Sequence, residues 1–422
     1  MTHRGETGSA GAVDEEAVMR ARVLLLGSGR LSDHQELDAY RVLAPVSPDV
    51  YAPKLASRLS WARAATPERA EELAREAVAA ARLLRPDHHL RTEVLCRALG
   101  SYAKLLFGRG RRAEALAVCA ESAAVGREGF GRGQVPRPGY GSRRLVVALS
   151  EEGRYAEALA AEVPPAGDER TEFWQAVARA ARLEAAGRGD EAAGCLGEFL
   201  DAARAGAAEG REPQAVLVWA LRHQADLLDR TGSSGEAGAI RREALDVLAR
   251  LAEAGKPTKW GTLPSWWATL FLLSVRPDEP PASPEAPGPC FGEDDHHWSP
   301  DVKRAYAAAV PALEAEKAAL TRRAEGDPAR WLPALSAVHR RLTARAALRA
   351  IHRAPRNLDA LRPLFDEGAA LARRPGAARD AEARALTDLA MFLVAVGAHR
   401  EAYADLAAAG EVRPRPTIVT RT

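Results

Sequence analysis

The chain has 422 residues, 47% of them hydrophobic and 27% charged, with a formal net charge of +2. That length can bury a large core but is long for one compact globule, so several domains or an elongated array is expected. The near balance of charge argues against wholesale nucleic-acid binding or an acidic disordered tail.

Six of the 59 basic residues are lysines (Lys54, Lys104, Lys256, Lys259, Lys303 and Lys317), a bias that makes any single arginine weak evidence of function. Cys96, Cys119, Cys195 and Cys290 are isolated, with no C-x-x-C pair, so neither a zinc ribbon nor a disulfide scaffold is supported and a reducing cytoplasm fits. The opening MTHRGETGSAGAVDEE has no apolar segment, and the aliphatic run Val23 to Leu26 is far too short for a signal peptide or membrane span.

In chain order, residues 1–12 read as a disordered tail, 13–275 as a helical array, 276–300 as a mobile proline-rich loop, 301–415 as a second array and 416–422 as another tail. LLLGSGRLS carries Gly27 and Gly29, but Ser32 stands where a dinucleotide fingerprint needs its third glycine, so the stretch reads as a helix end followed by a new cap. Ser32 and Gln35 make a capping-box pair ahead of HQELDAYRVLA, which should end before the PVSPD turn. TPERAEELAREAVAAARLLRPD has proline at the first helical position and strong helix formers after it.

From residue 106 a pattern repeats. Leu-x3-Gly-x3-Glu-Ala occurs at Leu106/Gly110/Glu114/Ala115, Leu149/Gly153/Glu157/Ala158, Leu183/Gly187/Glu191/Ala192, Leu228/Gly232/Glu236/Ala237 and Leu393/Gly397/Glu401/Ala402. Chance would give on the order of 0.1 matches in a chain this long. Each copy reads as a helix, a tight turn and a second helix folded back. The glycine takes a left-handed backbone that costs energy for any residue with a Cβ. Glutamate suits the positive end of the second helix, and alanine lets the two helices approach closely. Seven residues before the glycine stands Ala103, Ala180, Ala225 or Ala390, with Val146 in the second copy.

This pattern resembles the tetratricopeptide repeat family, with small residues at two fixed places, a glycine near the turn and, in the last copy, Ala409 and Pro414 closing the second helix. The resemblance implies an all-α, right-handed solenoid of antiparallel helix pairs. Departures are visible: successive glycines are 43, 34, 45 and then 165 residues apart, and leucine replaces the aromatic that the family favours in the first helix. The interval of 165 has room for about four degenerate units.

The rest of the chain offers no sheet and no catalytic signature. GREGFGRGQVPRPGYGSRR lacks the Gly-Lys-Ser/Thr ending of a phosphate loop and reads as a connection between helices. WWATLFLLSV reads as a first helix, and seven prolines between Pro277 and Pro300 then point to an extended excursion. Within it, Cys290, Asp294, Asp295, His296 and His297 collect metal-ligand types, but adjacent histidines rarely share one ion and a structural zinc site needs ligands from two anchored places, so no metal or other cofactor is expected. Asp327 and Pro328 open another helix in DPARWLPALSAVHRRLTARAALRAIHRAP. No H-E-x-x-H and no G-x-S-x-G occurs, so no enzyme is expected.

In the family that the repeats resemble, first helices line a concave surface that holds a peptide. The corresponding places here are Arg97, Lys104 and Phe107; Tyr140 and Arg143; Trp174; Trp219, Arg222 and Asp226; and Arg384 and Met391. Aromatics and arginines are typical of interface hot spots, and arginines pair with carboxylates in two-pronged fashion, so an acidic peptide or protein segment is the expected partner. A local excess of +6 from Lys104 to Arg144 would suit a phosphate-rich partner instead. The leading expectation is a cytoplasmic, non-catalytic protein-binding scaffold, with no membrane and no nucleic-acid contact. The rival is a peptide-sensing regulator acting on a nucleic-acid-binding or signalling partner. A small helix-turn-helix near Gly27 to Arg30 would serve it, but its second helix carries one arginine and two acids, which argues against phosphate contact.

Overall fold

The computed structural model describes residues 14–27, 30–163, 169–209, 214–255, 263–353 and 358–413. The expected terminal tails, Gly29 and Pro414 lie outside the described residues. Among those described, every regular element is helical and no strand occurs. No helix among them is long and apolar enough to cross a membrane. The chain divides into two compact units, Met1–Val146 with Ala161–Pro164, and Val147–Ala160 with Pro165–Thr422.

The first unit pairs α1 (Glu15–Leu26) with α2 (Asp33–Leu43), α3 (Pro48–Trp61) with α4 (Pro67–Arg82), and α5 (Arg91–Gly108) with α6 (Arg112–Gly131). The capping box at α2 is complete: the Gln35 N–H donates to Ser32 Oγ while Gln35 Oε1 accepts from the Ser32 N–H. Helix α3 went unread because its first residue, Pro48, is the second proline of the PVSPD turn, where it starts a helix as readily as it ends a loop. The glycine-rich stretch is only half a connection, since α6 runs through GREGFG to Gly131. Gly126 explains the glycine inside that helix: a Cβ there would stand 1.7 Å from the Tyr140 carbonyl oxygen, so only glycine lets the next segment lie against it.

Next in the chain come α7 (Arg143–Glu151) and α8 (Tyr155–Ala161). The second unit continues with α9 (Glu169–Ala185), α10 (Gly189–Ala208), α11 (Gln214–Arg230), α12 (Ser234–Ala254) and α13 (Leu263–Val275), and then α14 (Pro300–Ala308) to α16 (Pro328–Arg353) by way of α15 (Val310–Gly326). Helices α17 (Arg362–Ala372), α18 (Arg379–Val396) and α19 (His399–Val412) follow.

The repeat unit has one geometry throughout. Gly110, Gly153, Gly187, Gly232 and Gly397 all have positive φ, between 72° and 87°. In each copy the residue after the glycine donates its N–H to the carbonyl of the repeat leucine, at 2.8–3.0 Å, which satisfies the end of the first helix in Schellman fashion. Ala115, Ala158, Ala192, Ala237 and Ala402 are all 0% exposed, as are Ala103, Ala180, Ala225 and Ala390 on the facing helices. Any larger side chain would push the pair apart. A further regularity escaped the sequence reading: in three copies arginine follows the glycine and holds the repeat glutamate with two hydrogen bonds (Arg111 with Glu114, Arg154 with Glu157, Arg188 with Glu191).

Within the interval of 165 residues, α15 packs against α16 and α17 against α18. Helix α13 is apolar all round, and the structure places it among α11, α16 and α18. Trp267 is its hub, with Phe271, Phe365 and Phe392 ring centroids at 5.7–5.9 Å. Helix α19 packs directly on α12, and Trp219 Nε1 on α11 donates to the Met391 carbonyl on α18 at 3.2 Å. The fourth and last repeat copies are therefore neighbours in space.

The proline-rich segment, expected as a mobile excursion separating two arrays, is instead packed into the second unit. It begins and ends in short 3-10 turns, Arg276–Asp278 and Asp295–His297. Cys290 and Trp298 are buried, and Trp298 Nε1 donates to the Cys290 carbonyl at 3.1 Å. Glu151, fully buried at the end of α7, accepts the Gly288 N–H on its carbonyl at 2.8 Å and the Ser299 N–H on Oε1 at 2.7 Å. A dense run of prolines disfavours helix without ruling out order, because backbone donors can be met by buried acceptors elsewhere.

Candidate functional site

The predicted groove residues fall into two sets. In the first unit, α5 carries Arg97 and Lys104 exposed on its surface, with Arg97 paired to Glu93 one turn earlier. Tyr140 is half-buried near this pair, its hydroxyl pKa raised by burial and by Glu93, an effect that Arg97 opposes. Arg143 is exposed at the start of α7. Phe107 does not belong with them. It is 0% exposed in the core, because its place on α5 faces α6, and the Arg112 guanidinium lies 5.1 Å from its ring centroid.

In the second unit, Trp174 is half-buried with its ring 4.0 Å from that of Trp266, which marks a packing contact. The remaining five residues come together. Trp219, Arg222 and Asp226 on α11 and Arg384 and Met391 on α18 all line one cavity of about 680 Å³. An adjoining cavity of about 390 Å³ shares Phe271, Arg340, Arg384 and Asp388 with it. The larger volume lies in the range that holds a drug-sized molecule or a few residues of peptide.

One wall is apolar and aromatic, built from Trp219, Trp267, Leu270, Phe271 and Met391. The other is a lattice of ion pairs. Asp226 is held by Arg222 and lies 3.5 Å from Arg413, which also pairs with Asp229. Glu184 takes Arg230 at 2.5 Å and pairs with Arg276. Arg340 donates from Nε to Asp388 at 2.7 Å and from Nη2 to the Ser274 carbonyl at 3.1 Å, and it pairs with Asp278 of the proline-rich segment.

These surroundings move the titrating groups. Burial alone would raise the Asp226 carboxyl, but Arg222, Arg413 and Arg230 outweigh it and hold the pKa below the usual value. Asp278 goes the other way, since burial outweighs Arg340 and Arg384 and raises it. Burial pushes His223 down to about 4, so its imidazole is neutral at physiological pH. Arg384, 47% of whose side chain is exposed, has the longest ion pair of the cavity arginines, with Asp278 3.6 Å away.

Arg276, Arg340 and Trp267 were missed because each reaches the cavity from an element without a repeat motif, whereas His223 on α11 and Arg413 at the end of α19 belong to repeat copies but stand outside the groove register. The run WWATLFLLSV was the one available signal for Trp267. Comparison with known proteins finds no matching family model and no matching curated relative.

Proposed function

We propose that the chain is a cytoplasmic, non-catalytic protein- or peptide-binding scaffold, built as a right-handed solenoid of helix pairs of the tetratricopeptide kind. Its ligand enters the cavity between α11 and α18. One observation carries the reading: five positions chosen by repeat register, from copies 165 residues apart, line a single cavity. An aromatic wall facing arginines suits a short segment with an apolar side chain and a carboxylate, the apolar part lying on Trp219 and Met391 and the acid on Arg384. The carboxylates already in the lattice, Asp226 and Asp388 among them, fix the arginines in place and would repel a strongly acidic ligand placed out of register.

The test is retention of peptides from a library sorted by acidity, read by the fluorescence of Trp219 and Trp267 on binding. Arg384→Ala and Met391→Ala should each weaken capture about tenfold, as hot-spot truncations do, with an unchanged circular dichroism spectrum. Capture that survives both changes, or a library from which nothing is retained, overturns the proposal.

A further inference from the structure

The stretch CFGEDDHHW lacks, by itself, a second anchored place from which to hold a metal. The fold supplies one. The turn Asp295–His297 lies against the last turn of α16, and Asp295, His296 and His352 each bring a ligand atom within 4.8 Å of the others. His352 stands 57 positions from Asp295 in the chain, yet its Nε2 is 2.7 Å from Asp295 Oδ2. The rings of His296 and His352 meet edge to face with centroids 5.2 Å apart.

The backbone on both sides is held firmly. Asp294 Oδ1 accepts the His296 N–H at 2.9 Å. Trp298 packs on Tyr306, and Tyr306 is clamped to α16 by Arg345, whose Nε donates to the Tyr306 carbonyl at 3.0 Å while its guanidinium lies 3.7 Å from the ring centroid. Asp295 is 4% exposed, so its carboxylate needs positive charge beside it. At present Lys303 Nζ, 2.5 Å away, shares Oδ2 with His352.

We propose that Asp295, His296 and His352 form a site for a zinc-class divalent ion that clasps the end of the proline-rich segment to α16. Two imidazoles and a carboxylate are a donor set that zinc accepts, with water in the fourth position. Zinc holds such atoms at about 2.0–2.2 Å, so tetrahedral neighbours lie roughly 3.3 Å apart. The present spread has to close by about 1.5 Å at most, which rotation of two solvent-facing imidazoles provides. His352 binds through Nε2 with its proton on Nδ1. Lys303, whose side chain is 41% exposed, swings into water as the ion takes its place on Oδ2.

Lys303 gives the test its sharpest arm. The full chain, stripped with EDTA, is titrated with zinc chloride in a calorimeter. The expected result is saturable uptake of one ion per chain, weakened roughly tenfold or more in His296→Ala and in His352→Ala, and tightened in Lys303→Met because a competing cation is gone. His296 offers a surface ring, so its replacement leaves the fold in place even where loss of His352 disturbs the segment. Absence of saturable uptake, uptake that survives both histidine changes, or weaker uptake in Lys303→Met overturns the assignment.

Discussion

Replacing Gly153 by alanine separates two costs that usually arrive together. Gly187 serves as the reference, because a Cβ there meets nothing within 4 Å and only its φ of 76° is at issue. A left-handed backbone costs a residue with a Cβ about 1–2 kcal/mol, so Gly187→Ala should lose about 1 kcal/mol. At Gly153 the backbone penalty is similar, with φ of 72°, but the new Cβ would stand 2.4 Å from the Ala282 carbonyl oxygen of the proline-rich segment. Reaching the ordinary contact distance of 3.4 Å means a shift of 1.0 Å (3.4 less 2.4). That shift loosens the hydrogen bonds from Gly288 and Ser299 to the buried Glu151. A buried polar group left unmatched costs about 1–3 kcal/mol, so the total for Gly153→Ala should reach about 2–4 kcal/mol. Urea denaturation of the two variants beside the parent chain gives the difference. Equal losses would refute the packed segment while leaving the helical turn intact.

The buried imidazole of His223 makes stability depend on pH. Its pKa of about 4, against 6.5 when free, means that the unfolded chain binds the proton more readily. Its contribution is therefore complete above pH 6.5 and fades as pH falls toward 4, by at most about 3 kcal/mol. His223→Leu should flatten that part of the pH profile of denaturation midpoints, and parallel profiles for parent and variant would contradict the buried state. Glu279, 5% exposed, receives Arg345 at 2.6 Å and Arg341 at 3.1 Å. Its replacement by alanine strands the Arg345 guanidinium and should cost about 3–5 kcal/mol. Arg188→Ala, which breaks a pair 47% and 57% exposed, should cost less than about 1 kcal/mol. Thermal melts that reverse this order would place the stabilising charges elsewhere.

The hairpins were legible because everything that makes one lies within about ten residues: leucine to end the helix, glycine to turn, glutamate and alanine to start again. Nothing in that window says which hairpins become neighbours. The packing of α19 on α12, and of α13 on α18, depends on apolar faces that meet across more than a hundred residues. The same limit hid the ordered state of residues 276–300. Their prolines are a local signal, while the acceptors that hold them belong to Glu151 and the arginines that pair with Asp278 and Glu279 belong to α16 and α18. Of the residues chosen by repeat register, Trp219, Arg222, Asp226, Arg384 and Met391 line one cavity while Phe107 is buried in the core, because register names a helix face without saying whether another helix covers it.

The contact between Trp219 and Met391 bridges 172 positions, and this has a kinetic consequence. Stacks of neighbouring hairpins fold from local encounters, whereas a ring of contacts with such sequence separation carries a high contact order and closes slowly. During synthesis, α11 and α12 leave the ribosome well before α18 and α19, so their apolar flanks wait uncovered and open to chaperones or aggregation. Once the last hairpin arrives, the unit locks as a whole, and its repeats then melt together instead of fraying from an end.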